Sequence, residues 1–181
     1  MMEAEKKVVE AAQRGSRRAF EVLVHRYQPW VIRTAYRLLG NETEADDVAQ
    51  DVWLRIYRSL PSFRAESRFS TWLYRIATNE TLSALKRLRR HQRHRSDQPL
   101  EEVAHADGKP NARRILEGRE MEEQFRQAFD ALPPERRMVI TLVLFENMTH
   151  RDAGVILNMP EKTVSWHLFK AREFLAQKMK D

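Results

Sequence analysis

The chain has no cysteine, which excludes disulfides and thiolate metal sites and permits a reducing compartment. Glycine is scarce, five in 181 residues, and no Asn-Gly or Asp-Gly turn is flanked by alternating apolar residues, so the strongest short-range signal for a sheet is missing. No uninterrupted apolar run approaches the roughly 20 residues that span a bilayer. The opening MMEAEKKVVEAAQRGS lacks the apolar stretch of a secretory signal. These absences predict an all-α protein of the cytoplasm, without membrane insertion.

What the chain has in abundance is charge, unevenly placed. Residues 1–95 carry 19 Lys/Arg against 11 Asp/Glu, a net +8, whereas residues 96–181 carry 13 against 15, a net −2. A basic half favours a polyanionic partner, and nucleic acid is the commonest soluble one.

The periodicity is helical throughout. A short first helix ends at Gly15-Ser16. Phe20, Leu23, Val24, Tyr27, Val31, Ala35 and Leu38 then form one stripe, with Pro29 expected as a kink or junction. Gly40 fits a C-terminal cap, and Asn41 with Glu44 fits the start of a helix that Leu60-Pro61 ends. Phe63–Thr71 reads as a loop, with Ser70 or Thr71 capping a long helix that runs into the basic segment Lys86–Arg95. Periodicity fades over residues 92–111, which read as a flexible linker between domains at 1–91 and 112–181. In the second domain Pro133-Pro134 separates two helices. Thr149-His150-Arg151-Asp152 opens a short helix, and Pro160 suits the first turn of the last one. Two such helices joined by a tight turn fit a helix-turn-helix.

Three surfaces are candidates for function. On a wheel of about 100° per residue, Ala45, Val48, Ala49, Val52 and Ile56 share one side. Asp46, Asp47, Gln50, Asp51 and Leu54 share the opposite side, with Tyr57 at its edge. Acids with apolar residues among them suit a basic, partly apolar protein partner. In the last helix Lys162, Ser165, Trp166, Phe169 and Lys170 are left outward when Val164 and Leu168 face in. That face offers polar groups for base edges, cations for phosphates and apolar groups for thymine methyls. Between these lies a segment in which Phe63, Phe69, Trp72 and Tyr74 interleave with Arg64, Arg68 and Arg75, a composition suited to unpaired nucleic acid. Core packing for Trp72, a plain amphipathic terminal helix and a flexible basic linker at Arg89–Arg95 are the competing structural readings.

No catalytic constellation accompanies these surfaces. Asp46, Asp47 and Asp51 have no His at a matching helical step, no second carboxylate cluster and no phosphate-cradling glycine loop. The chain reads as a binder, with no cofactor or metal, and not as an enzyme. A stand-alone helix-turn-helix regulator and a metal-dependent nuclease using Asp46, Asp47 and Asp51 are the alternative functions carried forward.

Two blocks carry a family resemblance. The run AYRLLGNETEADDVAQDVWLRIYRSLPSFRAESRFSTWLYRIATN resembles region 2 of bacterial extracytoplasmic-function sigma factors, and LPPERRMVITLVLFENMTHRDAGVILNMPEKTVSWHLFKARE resembles their region 4. The resemblance implies two helical domains that bind core RNA polymerase, at its largest-subunit clamp and flap regions, and direct it to promoter DNA under the control of an anti-sigma factor. Asp46, Asp47, Gln50 and Asp51 match the core-binding motif, beside Leu54 and Tyr57. The Phe63–Thr71 loop, with Arg64, Glu66, Ser67 and Arg68, matches the segment that captures a flipped base of the −10 element. Arg75 and Asn79 would read the same element, while Lys86 and Arg87 would hold phosphates. In Thr149–Arg172, matching the −35 reader, Lys162, Thr163, Ser165, Trp166, His167, Phe169 and Lys170 would face duplex DNA. The chain departs from the family at Lys162, where glycine is frequent, and at Ser165-Trp166-His167, where Lys-Ser-Arg is frequent. Gly154 stands where a better helix former is usual and is expected to soften its helix.

Overall fold

The computed structural model describes residues 2–94 and 112–180, with side chains over 3–91 and 121–180. Within them the regular structure is helical and no strand occurs. The first domain comprises α1 (Met2–Gln13), α2 (Arg17–Leu39), α3 (Glu42–Ser59), a 3-10 turn (Leu60–Ser62) and α4 (Phe69–His94). The second comprises α5 (Ala112–Ala131), α6 (Pro134–Ile140), a π-turn (Thr141–Phe145), α7 (His150–Leu157) and α8 (Glu161–Lys178).

The boundaries follow from local chemistry. Ser16 accepts a hydrogen bond from the Ala19 amide and starts α2, while Gly40, at φ +69°, ends it by donating to the Tyr36 carbonyl. Asn41 accepts from the Glu44 amide at 3.0 Å and starts α3. Thr149 does the same for α7 through the Asp152 amide at 3.0 Å, and its own hydroxyl donates to the Asp152 carboxylate. Asn158, at φ +53°, turns the chain from α7 towards α8.

Several expectations need correction. α2 runs through Pro29 as one helix, so Pro29 is not a junction between two. A proline removes one backbone donor, and the packing of Tyr27, Trp30 and Val31 on both sides of it outweighs that loss. The loop after α3 ends at Arg68, because Phe69 is drawn into the core at 4% exposure and α4 begins there, without a Ser70 or Thr71 cap. α4 continues to His94, three residues into the expected linker, and residues 95–111 of that linker lie outside the described residues. The π-turn had no sequence signal; it pushes Phe145 and Glu146 out from the end of α6 towards α2.

Ala45, Val48, Ala49, Val52 and Ile56 of α3 are all buried against α2 and α4, as the wheel predicts. Burying a side chain such as Ile56 or Val52 contributes roughly 1.5–3 kcal/mol, so this stripe fixes the orientation of the helix and turns its acids outward.

The two domains pack against each other through α4 with α6 and α7, and through α2 with α6 and the π-turn. Arginines hold this junction by capping helix ends in the opposite domain. The last carbonyls of a helix lack internal partners and carry partial negative charge. Arg137 of α6 donates to the Leu38 carbonyl near the end of α2, and lies over the Phe129 ring. Arg89 of α4 donates to the carbonyls of Asp130 and Leu132, at 2.7 Å each, where α5 ends. Arg75 of α4 donates to the Val155 carbonyl in α7. Arg137 is 3% exposed and burial pulls its guanidinium down to about 10, with Asp130 opposing the shift. Beside them, Glu146 accepts two bonds from Arg33, at 3.1 and 2.8 Å, and another from Arg37, which also lies over the Phe145 ring.

Candidate nucleic-acid interface

Asp46, Asp47, Gln50 and Asp51 are all exposed on α3, together with Leu54 at 53% and Tyr57 at 63%. Two apolar side chains that exposed beside three carboxylates form a mixed face of the kind that binds another protein. The structure adds a groove to this face. Phe20, Val24 and Gln28 of α2, with Trp53, Leu54 and Tyr57 of α3, line about 590 Å³ next to Asp46 and Gln50. Phe20 meets the Trp53 ring edge-on at 6.0 Å and the Tyr57 ring at 5.2 Å. The indole Nε1 of Trp53 is buried without a hydrogen-bond partner. Phe20 and Val24 belong to the apolar stripe of α2; they are half-buried, and their outer edges extend the face onto α2.

The loop between the 3-10 turn and α4 projects Arg64, Glu66 and Arg68 into solvent, with Ser67 half-buried. Ala65 sits at its tip with φ +55°, a left-handed conformation that costs a non-glycine residue about 1 kcal/mol or more and concentrates at functional segments. Behind the tip, Phe63 packs on Phe69 at 5.9 Å and on Trp72 at 4.9 Å. Trp72 is thus half-buried in an aromatic cluster. Along α4, Asn79, Lys86 and Arg87 are exposed, but Lys86 pairs with Glu135 at 2.9 Å and holds that carboxyl below its usual range. Arg75 is half-buried under α7. Here the expected −10 cations do not stand in one open row, because Arg75 and Lys86 face the second domain.

On α8, Lys162, Trp166 and Phe169 form an exposed ridge at helical spacing, with Trp166 51% and Phe169 61% exposed. Lys170 flanks it, lying over the Phe169 ring and paired with Glu173 at 2.7 Å. Arg136 of α6 lies over the Trp166 ring at 5.5 Å. The other expected contacts are less free. Thr163 is half-buried, and the Ser165 hydroxyl is held by His150 Nδ1 at 2.8 Å while donating to the Glu161 carbonyl. His167 is turned towards α6: its Nδ1 is buried without a partner, and burial, then the nearby Arg136 charge, lowers its pKa. Its position three residues after Val164 and one before Leu168 brings it round to the packed side. His150, read from the sequence only as part of a helix start, hydrogen-bonds across from the start of α7 to Ser165 of α8.

Gly154 also reverses its expected role. A Cβ there would lie 2.7 Å from the Met159 carbonyl oxygen and 3.6 Å from Val164 Cγ2. Glycine is what lets α7 approach the turn and α8 so closely, and the Met159 amide closes the turn on the Gly154 carbonyl at 2.9 Å.

Among the described residues no group of three or more His, Asp or Glu side chains is placed to hold a metal ion, and no helix is long and apolar enough to cross a membrane.

Comparison with known proteins agrees with this division. The Sigma-70 region 2 family matches residues 23–91 and the Sigma-70 region 4 family matches residues 122–175. The RNA polymerase sigma-H factor of Pseudomonas aeruginosa is 34% identical over 94% of this chain and 91% of its own. SigW, an extracytoplasmic-function sigma factor of Bacillus subtilis, is 32% identical over 97% of both chains. The sigma-E factor of Escherichia coli is 30% identical over 95% of this chain and 92% of its own. The fold is similar to that of CnrH solved with the cytosolic domain of CnrY, with TM-score 0.69 and 23% identity over 98% and 97% of the two chains. It is likewise similar to RpoE of Bartonella quintana solved with the anti-sigma factor NepR, with TM-score 0.65 and 22% identity over 89% and 96%.

The two helical domains, the first with its acidic face and the second with its helix-turn-helix, define a subunit of promoter-directed transcription initiation. The chain belongs to the extracytoplasmic-function RNA polymerase sigma factors.

Proposed function

We propose that this sigma factor docks on core RNA polymerase through Asp46, Asp47, Gln50, Asp51, Leu54 and Tyr57, and in that complex recognises two promoter elements. The observation that carries this reading is the mixed face of α3: three exposed carboxylates and an amide around two exposed apolar side chains, on a domain that is otherwise strongly basic. Such a face rejects DNA and favours a basic protein surface.

The ridge Lys162–Trp166–Phe169 takes duplex DNA at the upstream element. The Arg64–Arg68 loop takes an unstacked base downstream, with Asn79 and Arg87 along its strand. Extruding a base costs a few kcal/mol, more than one loop supplies, so opening occurs on the polymerase. Two DNA contacts on one tether raise avidity without new contacts. Residues 1–91 and 112–181 are the two binding units, 92–111 the tether, and the cytoplasm the compartment. An anti-sigma factor, of the kind bound to the Bartonella relative, covers these faces when the protein is held inactive.

The test is in-vitro transcription with core polymerase and a randomised promoter library, comparing wild type with an Asp47→Arg, Asp51→Arg double variant. Both positions are exposed, so the variant folds and loses core binding by about tenfold or more, the scale of like-charge opposition across an interface. Undiminished transcription by the double variant refutes the docking face. Tight promoter binding by the protein alone in moderate salt points to a stand-alone regulator instead.

A further inference from the structure

We infer that α1 is the second wall of the strand-capture site, and that Gln13 is the residue that positions its loop. The inference rests on the assignment of the Arg64–Arg68 loop to base capture, and it assigns a role to a helix on which no function has yet been placed.

Two observations meet here. Gln13, on the last turn of α1, uses its side-chain amide nitrogen to donate to two carbonyls, those of Leu60 at 3.2 Å and Phe63 at 2.7 Å. These carbonyls bracket the 3-10 turn from which the loop springs, so one side chain ties both ends of that turn to α1. A primary amide has two N–H donors and can satisfy both acceptors at once. Phe63 in turn sets its ring on Phe69 and Trp72, so the start of the loop is fixed by a hydrogen bond on one side and by aromatic packing on the other.

The second observation is the cleft that this tie holds open. Between α1 and the loop lies a space of about 640 Å³, lined on the helix side by Val9, Glu10 and Gln13 and on the loop side by Phe63, Arg64 and Arg68. That is within the range of small-molecule sites, roughly 300–1,000 Å³, and sufficient for an extruded nucleotide. The chemistry is sided. Val9 and Phe63 supply apolar and aromatic surface. The helix side sets Glu3, Glu5 and Glu10 against one cation, Lys6, and the loop side sets Arg64 and Arg68 against one carboxylate, Glu66. Negative charge therefore prevails on the helix side and positive charge on the loop side. A nucleotide therefore enters base-first, with its phosphate towards Arg64 and Arg68.

α1 is itself anchored. Glu5 accepts a hydrogen bond from the Tyr27 hydroxyl and pairs with Arg26 at 3.2 Å, while Val9 and Ala12 are buried against the domain. The helix is thus a fixed wall against which the left-handed loop tip at Ala65 can be set. Without Gln13 the two carbonyls turn to water and the tip loses its reference.

The experiment uses holoenzyme reconstituted from the full-length chain and core polymerase, on a promoter selected from the library above. A single-stranded oligonucleotide of the non-template downstream element serves as probe, with each base varied in turn. Gln13→Leu and Gln13→Glu remove the donors with little change of volume, whereas Gln13→Lys restores a donor group able to reach both carbonyls. Strand affinity falls about five- to tenfold in the first two, the scale of one or two lost hydrogen bonds. Discrimination at one base position flattens in both, Gln13→Lys recovers both properties, and core binding and upstream duplex binding stay unchanged in all three. Equal loss in Gln13→Lys assigns Gln13 to packing alone and overturns the inference. So does an unchanged base profile in Gln13→Leu while an Arg64→Ala, Arg68→Ala variant loses strand binding. If that double variant also binds the strand normally, it is the base-capture assignment of the loop that falls.

Discussion

Arg75 donates its Nε hydrogen to the backbone carbonyl of Val155 at 2.8 Å, joining the helix expected to read melted DNA to the first helix of the helix-turn-helix. The Val155 carbonyl lies in the last turn of α7, where backbone acceptors lack helical partners, so the guanidinium supplies a cap and a favourable charge together. The same device recurs with Arg89 at the end of α5 and Arg137 at the end of α2. The domains are held together by cations on helix ends and by carboxylates, Glu135 paired with Lys86 and Glu146 forming a clamp on two arginines.

That clamp gives the first prediction. The Glu146 side chain is 6% exposed and is gripped by Arg33 and Arg37, which are themselves 46% and 31% exposed. Glu146→Ala leaves two arginines without their partner, a loss of about 1–2 kcal/mol once the exposure of the arginines is allowed for. Urea unfolding shows this decrease, and limited proteolysis between the domains accelerates. Unchanged unfolding and cleavage show the clamp to be neutral.

Gly154→Ala tests a position where helix propensity and packing disagree. Propensity favours alanine by about 1 kcal/mol. The new Cβ would meet a backbone oxygen at 2.7 Å, and backbone cannot swing aside as a side-chain tip can. Overpacking of this kind costs about 1–3 kcal/mol, so the variant is expected to be less stable and to bind upstream duplex DNA more weakly. A rise in melting temperature would show that the turn yields.

Leu54→Ala examines the apolar part of the α3 face. At 53% exposure the side chain contributes little to the fold, and its removal leaves the unfolding free energy within about 0.5 kcal/mol of wild type. Core polymerase binding weakens by about 1 kcal/mol or more, the usual range for a contact residue at an interface. Surface plasmon resonance with immobilised core measures it, and wild-type affinity removes Leu54 from the contact.

His167 predicts an acid sensitivity. Burial, and then the positive charge of Arg136, lower its pKa below the ordinary 6.5, with Glu135 acting the other way. The unfolded chain therefore binds a proton more readily than the folded one, and folding stability rises with pH through that window. As pH falls below 6.5 stability is lost progressively, until the folded pKa is passed. Chemical denaturation at a series of pH values reads the slope, and His167→Gln flattens it. An identical slope in the variant places the sensitivity elsewhere.

The sequence made the domain plan and the α3 face legible because both rest on strong local signals. Asn41, Gly40, Thr149 and Pro134 mark helix ends by backbone chemistry, and Val48, Val52 and Ile56 mark a buried side at helical spacing. The outward sides of Leu54, Trp166 and Phe169 followed by subtraction. What remained hidden depends on pairs far apart in the chain. Nothing near Arg75 announces Val155, and nothing near Gln13 announces the carbonyls of Leu60 and Phe63. Gly154 looked like a weak helix former because propensity counts only its own helix, whereas the structure sets it against the next one. The family resemblance put His167 on the DNA face, whereas α8 packs against α6 over a wider arc than the stripe Val164–Leu168 suggests and turns it inward.

The arginine caps have a consequence in polyelectrolyte terms. DNA binding is driven largely by the release of condensed counterions, and each phosphate neutralised adds about 0.7–0.9 to the slope of log affinity against log salt concentration. Of the cations on the loop and along α4, Arg75 and Lys86 are already matched with a carbonyl and a carboxylate of the second domain. In this packing the protein offers DNA a smaller valence than its sequence counts. Separating the domains returns that valence, so a steeper salt dependence reports the open arrangement without any change in composition.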